Sequence, residues 1–177
     1  MFIIPFIVYF FNISFIIIYM KTNHNLKPIF NKESKILILG TMPSVKSRNA
    51  CFYYANPQNR FWKILSNLFN VNFKDDNDKI NFLLNNNIAL WDVIKSCDIV
   101  GSSDLSIKNV EVNDLDMIIN NANIQAIFCT GNKAFKYYSK YFNYDIPFRL
   151  LPSPSSANAR YSLDKLCEEY SIIKKYL

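Results

Sequence analysis

Two stretches of this chain hold residues whose types and spacing could do chemistry: ILGTMPSVKSRNACFYYANPQNRFW over 38–62 and LPSPSSANAR over 151–160. The first carries Thr41, Ser44, Ser47, Asn56 and Asn59, and the second carries Ser153, Ser155, Ser156 and Asn158. Two adjacent rings, Tyr53 and Tyr54, and the cations Lys46, Arg48, Arg60 and Arg160 lie among them. Apart from the cations these groups are neutral. An amide can hold a water by its dipole and turn it towards a developing cation, but it is too weak to act as a strong base. That combination suits a reaction whose transition state is already dissociative, such as breaking an N-glycosidic bond through an oxocarbenium-like sugar. Aromatic faces offer a flat base a stacking partner, and the cations can meet phosphates.

Other chemistries lack their parts. The single histidine, His24, precedes the first core strand, so no core histidine is expected to take part and Ser-His-Asp or Cys-His machinery is excluded. With three glycines in all, and no G-x-x-x-x-G-K-[ST] or G-x-G-x-x-G spacing, a phosphate cradle or dinucleotide fingerprint is not expected. The four cysteines, Cys51, Cys97, Cys129 and Cys167, form no C-x-x-C pair, which argues against zinc or iron–sulfur ligation and for small buried hydrophobes. No metal and no cofactor is expected.

The elements that must position these residues alternate. KILILG (35–40) is an apolar run closed by glycine, the pattern of a central parallel strand. Asn56 is expected to cap the next helix with Pro57 at its first position, and Phe61, Trp62, Leu65, Leu68 and Phe69 share one helical face. A helix over 77–86, a strand over 87–94 bringing Trp91 and Asp92 to an edge, and a long loop over 97–112 follow. Asn113 is expected to cap the next helix. QAIFCTG (125–131) repeats the strand-then-glycine pattern, a helix aligns Phe135, Tyr138 and Phe142, and FRLLPS (148–153) is a last strand before the C-terminal helix. Strands alternating with helices predict an α/β fold with ligands beyond the carboxyl ends of its strands. There GTMPS, TGNKA and LPSPSSAN should converge on one cleft.

The chain has 177 residues, half of them hydrophobic, and a net charge of +6, a mild pull towards polyanions. Residues 1–19 belong to an uncharged apolar segment ending at Met20, for which three readings stand open. It is a membrane anchor flanked by Lys21, or upstream translation ahead of a true start at Met20, or an embedded helix or signal. Residues 20–177 read as one domain.

LILGTMPSVKS…YYANPQNRFW, ALWDVIKSCDIVGSSDLSIKNVEVNDL and LPSPSSANAR, in that order, resemble the uracil-DNA glycosylase superfamily, and most closely its hypoxanthine-DNA (deoxyinosine) branch. The resemblance runs from about Ile36 to Arg160. It implies a three-layer α/β/α sandwich around a mostly parallel four-stranded sheet, and a monofunctional, metal-free DNA glycosylase. Such an enzyme flips a deaminated base from double-stranded DNA, as a cytoplasmic monomer. Relatives that act on mismatched uracil keep an asparagine two residues after the glycine, where this chain has Met42. The resemblance therefore assigns the catalytic amide to Asn59 and the stacking ring to Tyr54. Gly40 and Pro43 would turn the chain so that the N–H groups of Thr41 and Met42 read a carbonyl on the base. Ser44, Lys46 and Ser47 in the first motif would meet DNA, as would Ser153, Pro154, Ser155, Ser156 and Ala157 in the second. Serine at 153 replaces the histidine of the fast uracil enzymes. Cys51 stands where that branch leads one to expect glycine, and Asp92 and Asp104 are further candidates to face the pocket. The competing reading is a catalytically inactive nucleic-acid-binding α/β domain, tethered to a membrane by the N-terminal segment.

Overall fold

The computed structural model describes residues 20–177, so both the anchor and the start-site readings of residues 1–19 lie outside the described residues. Among the described residues no helix is long and apolar enough to cross a membrane.

After β1 (Met20–Asn23), the apolar run becomes β2 (Ile36–Gly40), buried along its whole length. A strand covered on both faces has no polar side to alternate with, so every residue can be apolar. Then come α1 (Val45–Asn49), α2 (Phe61–Phe69) and α3 (Asp76–Asn85), followed by β3 (Ile88–Asp92), again fully buried. β4 (Ile94–Ile99) starts after the single residue Val93, and β5 (Lys108–Val112), α4 (Asp116–Ile119) and β6 (Ala126–Thr130) follow. α5 (Asn132–Tyr141), β7 (Phe148–Leu151) and α6 (Leu163–Tyr170) complete the order. β3, β2, β6 and β7 pair in that sequence, all parallel, as the central sheet of the expected α/β/α sandwich. Each Leu or Ile side chain sunk in its core contributes about 1.5–3 kcal/mol. α2 buries Phe61, Trp62, Ile64 and Leu65.

Several expectations need correction. The stretch 97–112 is not a long loop: β4 and β5 pair antiparallel, and with β1 they make a second, three-stranded sheet. The expected strand over 87–94 is split at Val93 between the two sheets. Its N–H donates to Gly40 O at 2.9 Å, and that of Ile94 donates to Thr41 O at 3.0 Å, so the start of β4 is stitched to the turn after β2. Asn56 does not cap α2; it closes a turn, its Oδ1 taking the N–H of Gln58 and its carbonyl that of Asn59. Asn113 caps nothing either. It is buried, and its Nδ2 donates to Asp92 O at 2.8 Å. The cysteines divide: Cys97 and Cys129 are buried, Cys167 is half-buried and Cys51 is exposed. Burial pushes the Cys129 thiol up to about 12.

His24 is also not outside the core. It is 6% exposed, its Nε2 lies 2.8 Å from Ile94 O and 3.3 Å from Asn113 Nδ2, and its Nδ1 is buried without a hydrogen-bond partner among the described residues. Charging the ring would put a second N–H where nothing accepts it, and burial accordingly lowers its pKa below 6.5. Below that pH the unfolded chain binds the proton and the folded one resists it. Stability is therefore expected to fall as the pH drops through 6.5, with a slope approaching about 1.4 kcal/mol per pH unit. Urea melts from pH 7.5 to 5 test this. His24→Gln, which keeps a donor for Ile94 O but cannot titrate, should flatten that part of the profile.

Candidate active site

The site assembles where β2, β3 and β6 end together, beside the chain leaving β7. Gly40 closes β2 in register with Asp92 at the end of β3. A Cβ at Gly40 would lie 2.1 Å from Asp92 Oδ1 and 3.1 Å from the Tyr54 hydroxyl, so the missing side chain is the space those two groups fill. Asp92 is 4% exposed there. Asp104 falls in a short 3-10 turn, Asp104–Ser106, within the β4–β5 connection.

Thr130 ends β6. Its hydroxyl donates to Leu39 O at 3.2 Å, which spends its single proton. The Tyr54 hydroxyl, 3.0 Å from Thr130 Oγ1, must then be the donor in that pair. The Tyr54 ring stacks on Phe61 with centroids 4.0 Å apart and planes inclined by 21°. Its backbone sits at φ 53°, a left-handed conformation unusual for a tyrosine and of the kind that concentrates at functional sites. Cys51 adopts φ 52°, which explains the expectation of glycine there: glycine takes that conformation without a Cβ penalty.

After β2 the chain turns through buried Thr41, Met42 and Pro43 into α1. Among the described residues no backbone carbonyl takes the N–H of Thr41 or Met42. Ser44 caps α1 by accepting from Ser47 N, and the two hydroxyls lie 3.1 Å apart. Ser47 is 3% exposed and holds this turn from within, so Ser44 and Lys46 are the more accessible of the three expected DNA contacts. Arg48 donates to Pro43 O at 2.6 Å. Asn59 is half-buried just ahead of α2, its Oδ1 accepting the N–H of Phe61 at 2.9 Å. That bond pins the rotamer and leaves Nδ2 and a second Oδ1 lone pair for another partner.

The second motif folds as a tight loop over 152–158. Tyr170 donates to Pro152 O, Asn158 Nδ2 to Ser153 O, and Asn158 N to Ser155 O. Ser153, Pro154 and Ser155 lie on its inner side, whereas Ser156 and Ala157 are exposed at its tip. Gly131, at φ 96°, lets Ser153 approach, since a Cβ there would sit 3.2 Å from Ser153 Cβ. Arg60 lies against the same loop: its N–H and Nε both donate to Pro154 O, and its two terminal nitrogens to Ser155 O, Asn158 O and Tyr161 O. This changes the expectation for Arg60, whose guanidinium faces carbonyls rather than standing free for phosphate.

Sequence reasoning did not single out Thr130, and it offered Arg60 only as one of several cations that could meet phosphate. The TG pair after QAIFC was a usable signal for the first, because it marks a strand end beside the cleft. Nothing in the sequence distinguishes the second from any loop cation. A groove of about 800 Å3 runs beside the end of β7 and the chain after the second-motif loop, lined by Leu151, Arg160, Tyr161, Lys165 and Glu168 among others.

The ends of the parallel sheet gather a glycine turn, a tyrosine at positive φ, a helix-leading amide and a serine-rich loop, in line with the expectation of a base-excising hydrolase. Comparison with known proteins agrees: residues 28–177 match the model of the uracil DNA glycosylase superfamily, and the chain belongs to it. The chain is 32% identical over 149 residues to the hypoxanthine DNA glycosylase of Methanosarcina acetivorans, covering 82% of this chain and 94% of that protein. It is 30% identical over 136 residues to the hypoxanthine DNA glycosylase of Methanosarcina barkeri, covering 75% and 86% respectively. A solution NMR structure of a candidate uracil DNA glycosylase from Methanosarcina acetivorans superposes with a TM-score of 0.74 at 28% identity, spanning 88% of this chain and 99% of that one.

Proposed function

We propose that this protein is a monofunctional DNA glycosylase that excises hypoxanthine, and uracil, from double-stranded DNA. Residues 20–177 would act as one catalytic unit. The observation that supports the reading best is a chain of contacts at the strand ends: the Tyr54 hydroxyl meets Thr130 at the end of β6, its ring stacks on Phe61, and Asn59 accepts the N–H of Phe61. Extruding a base costs a few kcal/mol, and least at a deaminated, mispaired position. The Tyr54 face opposite Phe61 would receive the flipped base by stacking. The Thr41 and Met42 N–H groups would donate to a carbonyl, which hypoxanthine and uracil possess and adenine lacks. Ser156 and Ala157 would occupy the space the base vacates, while Ser44 and Lys46 hold phosphate or sugar oxygens. As the glycosidic bond loosens, charge grows on the sugar, and Asn59 would orient a water towards C1′. No amine attacks the sugar, so no strand cleavage accompanies base release.

Incubating the full chain with duplexes that carry one inosine, uracil or xanthine, then cleaving abasic sites with alkali, tests this. Alkali-dependent breaks at inosine are expected, with none before alkali. Intact strands on every duplex would leave the inactive DNA-binding domain as the better reading.

A further inference from the structure

We infer that Arg60 is a positioning residue that couples the second-motif loop to Asn59, the neighbouring proposed catalytic amide. The inference rests on the glycosylase reading of the site. A guanidinium offers its N–H groups in a rigid planar fork, and here that fork is committed to main-chain oxygens. Nε meets Pro154 O at 3.3 Å, Nη2 meets Ser155 O at 2.6 Å and Asn158 O at 3.0 Å, and Nη1 meets Tyr161 O. The backbone N–H of Arg60 adds a bond to Pro154 O at 3.0 Å.

One side chain therefore gathers four carbonyls spread over 154–161, while Ser156 and Ala157 stay exposed at the loop's tip. Its own peptide unit follows directly from Asn59, whose Oδ1 is already fixed to Phe61 N. The side chain that would hold the water and the loop that would enter the helix thus share a single rigid joint. A loop pressed into the gap left by a base cannot shift without moving the backbone at 59–60, and the amide reaches its working position only when the loop is seated. On a single strand there is no gap to fill, so the joint matters less.

Arg60→Lys and Arg60→Gln, made in the full chain, test this against a plain phosphate contact and against a plain structural role. Single-turnover base release is measured on duplex and single-stranded inosine substrates, together with duplex affinity across a salt series and melting temperature. With the clamp, both variants slow on duplex by about 100-fold, because an error of about 1 Å in a catalytic group costs that much. On the single strand they slow by only a fewfold, and the salt slope of binding is unchanged. Retention of near wild-type duplex rate by Arg60→Lys, or a salt slope reduced by about one in Arg60→Gln, identifies a phosphate contact and overturns the coupling. Equal losses on both substrates identify a role in folding alone and overturn it as well. Should Arg60→Gln not fold, Asn158→Ala, which frees Ser153 O in the same loop, must show the same duplex-selective loss, smaller in size. Wild-type protein inactive on both substrates removes the glycosylase reading itself, a result separate from any of these.

Discussion

Replacing Asn59 with alanine is expected to slow base release by about 100- to 1,000-fold while duplex affinity stays within a fewfold, the loss typical when one preorganised polar group is removed from a developing charge. The substitution has a second effect that must be separated from the first. Asn59 Oδ1 accepts the N–H of Phe61 at the opening of α2, so alanine also strips an end-of-helix hydrogen bond worth about 1 kcal/mol. Serine resolves the two. Its hydroxyl serves helix starts about as well as an amide, but it is shorter and has no second polar atom to hold a water. Asn59→Ser should therefore melt close to wild type in urea and still be about as inactive as Asn59→Ala in single-turnover assays. If Asn59→Ser keeps full activity, the residue is only a helix-start contact and the reactive amide lies elsewhere.

The other large effect belongs to Gly40→Ala. The new methyl would begin 2.1 Å from a buried carboxylate oxygen that the β2–β3 register holds in place, and 3.1 Å from the Tyr54 hydroxyl. Neither neighbour is the loose end of a flexible side chain. Asp92 is sealed at a strand end, and Tyr54 is held by Phe61 behind its ring and Thr130 at its tip. Relief requires displacing one of them, and overpacking of this kind costs about 1–3 kcal/mol. Displacing Tyr54 would also move the proposed platform for the base, so a loss of base release of about 100-fold is expected in the fraction that remains folded. Gly101→Ala is the control. A Cβ there meets nothing within 4 Å, although φ is +60°, so it should carry a backbone strain cost of about 1 kcal/mol and leave the rate unchanged. Urea unfolding and single-turnover rates on all three proteins decide it. A Gly40→Ala enzyme with wild-type kinetics would show that the slot between Asp92 and Tyr54 can open without consequence.

The parallel sheet was legible because β2 and β6 are apolar without interruption and end in glycine or threonine–glycine, a pattern only a doubly covered strand needs. The antiparallel sheet was not. β5 reads KNVEV, with Lys108, Asn109 and Glu111 turned to solvent, and two register shifts in β4–β5 break the alternation that would have marked a hairpin. The start of α2 was misplaced for a related reason. Asn-Pro is a strong helix-opening pair, yet Asn56 spends its capping oxygen on a preceding turn, and Arg60 precedes α2 without a side-chain cap while Asn59 Oδ1 takes the N–H of Phe61. For the candidate site, the sequence marks the strand-end loops but not the partners of their side chains. Arg60 has the signature of a phosphate ligand until its four carbonyl acceptors, 94 to 101 residues away, are seen.

The bonds from Val93 and Ile94 to the turn after β2 also govern direction. In a trans peptide the C=O and the following N–H point opposite ways across one plane. Gly40 O is drawn towards Val93 N and Thr41 O towards Ile94 N. The N–H of Thr41 shares a plane with the first carbonyl and that of Met42 with the second, so both donors are turned away from β4. Val93 and the first residue of β4 thus work like the back plate of a socket: by fixing the rear of two peptide planes, they set the front that any bound carbonyl would meet. On the proposed reading, changes in β4 would alter which base is accepted without altering a residue assigned to touch it.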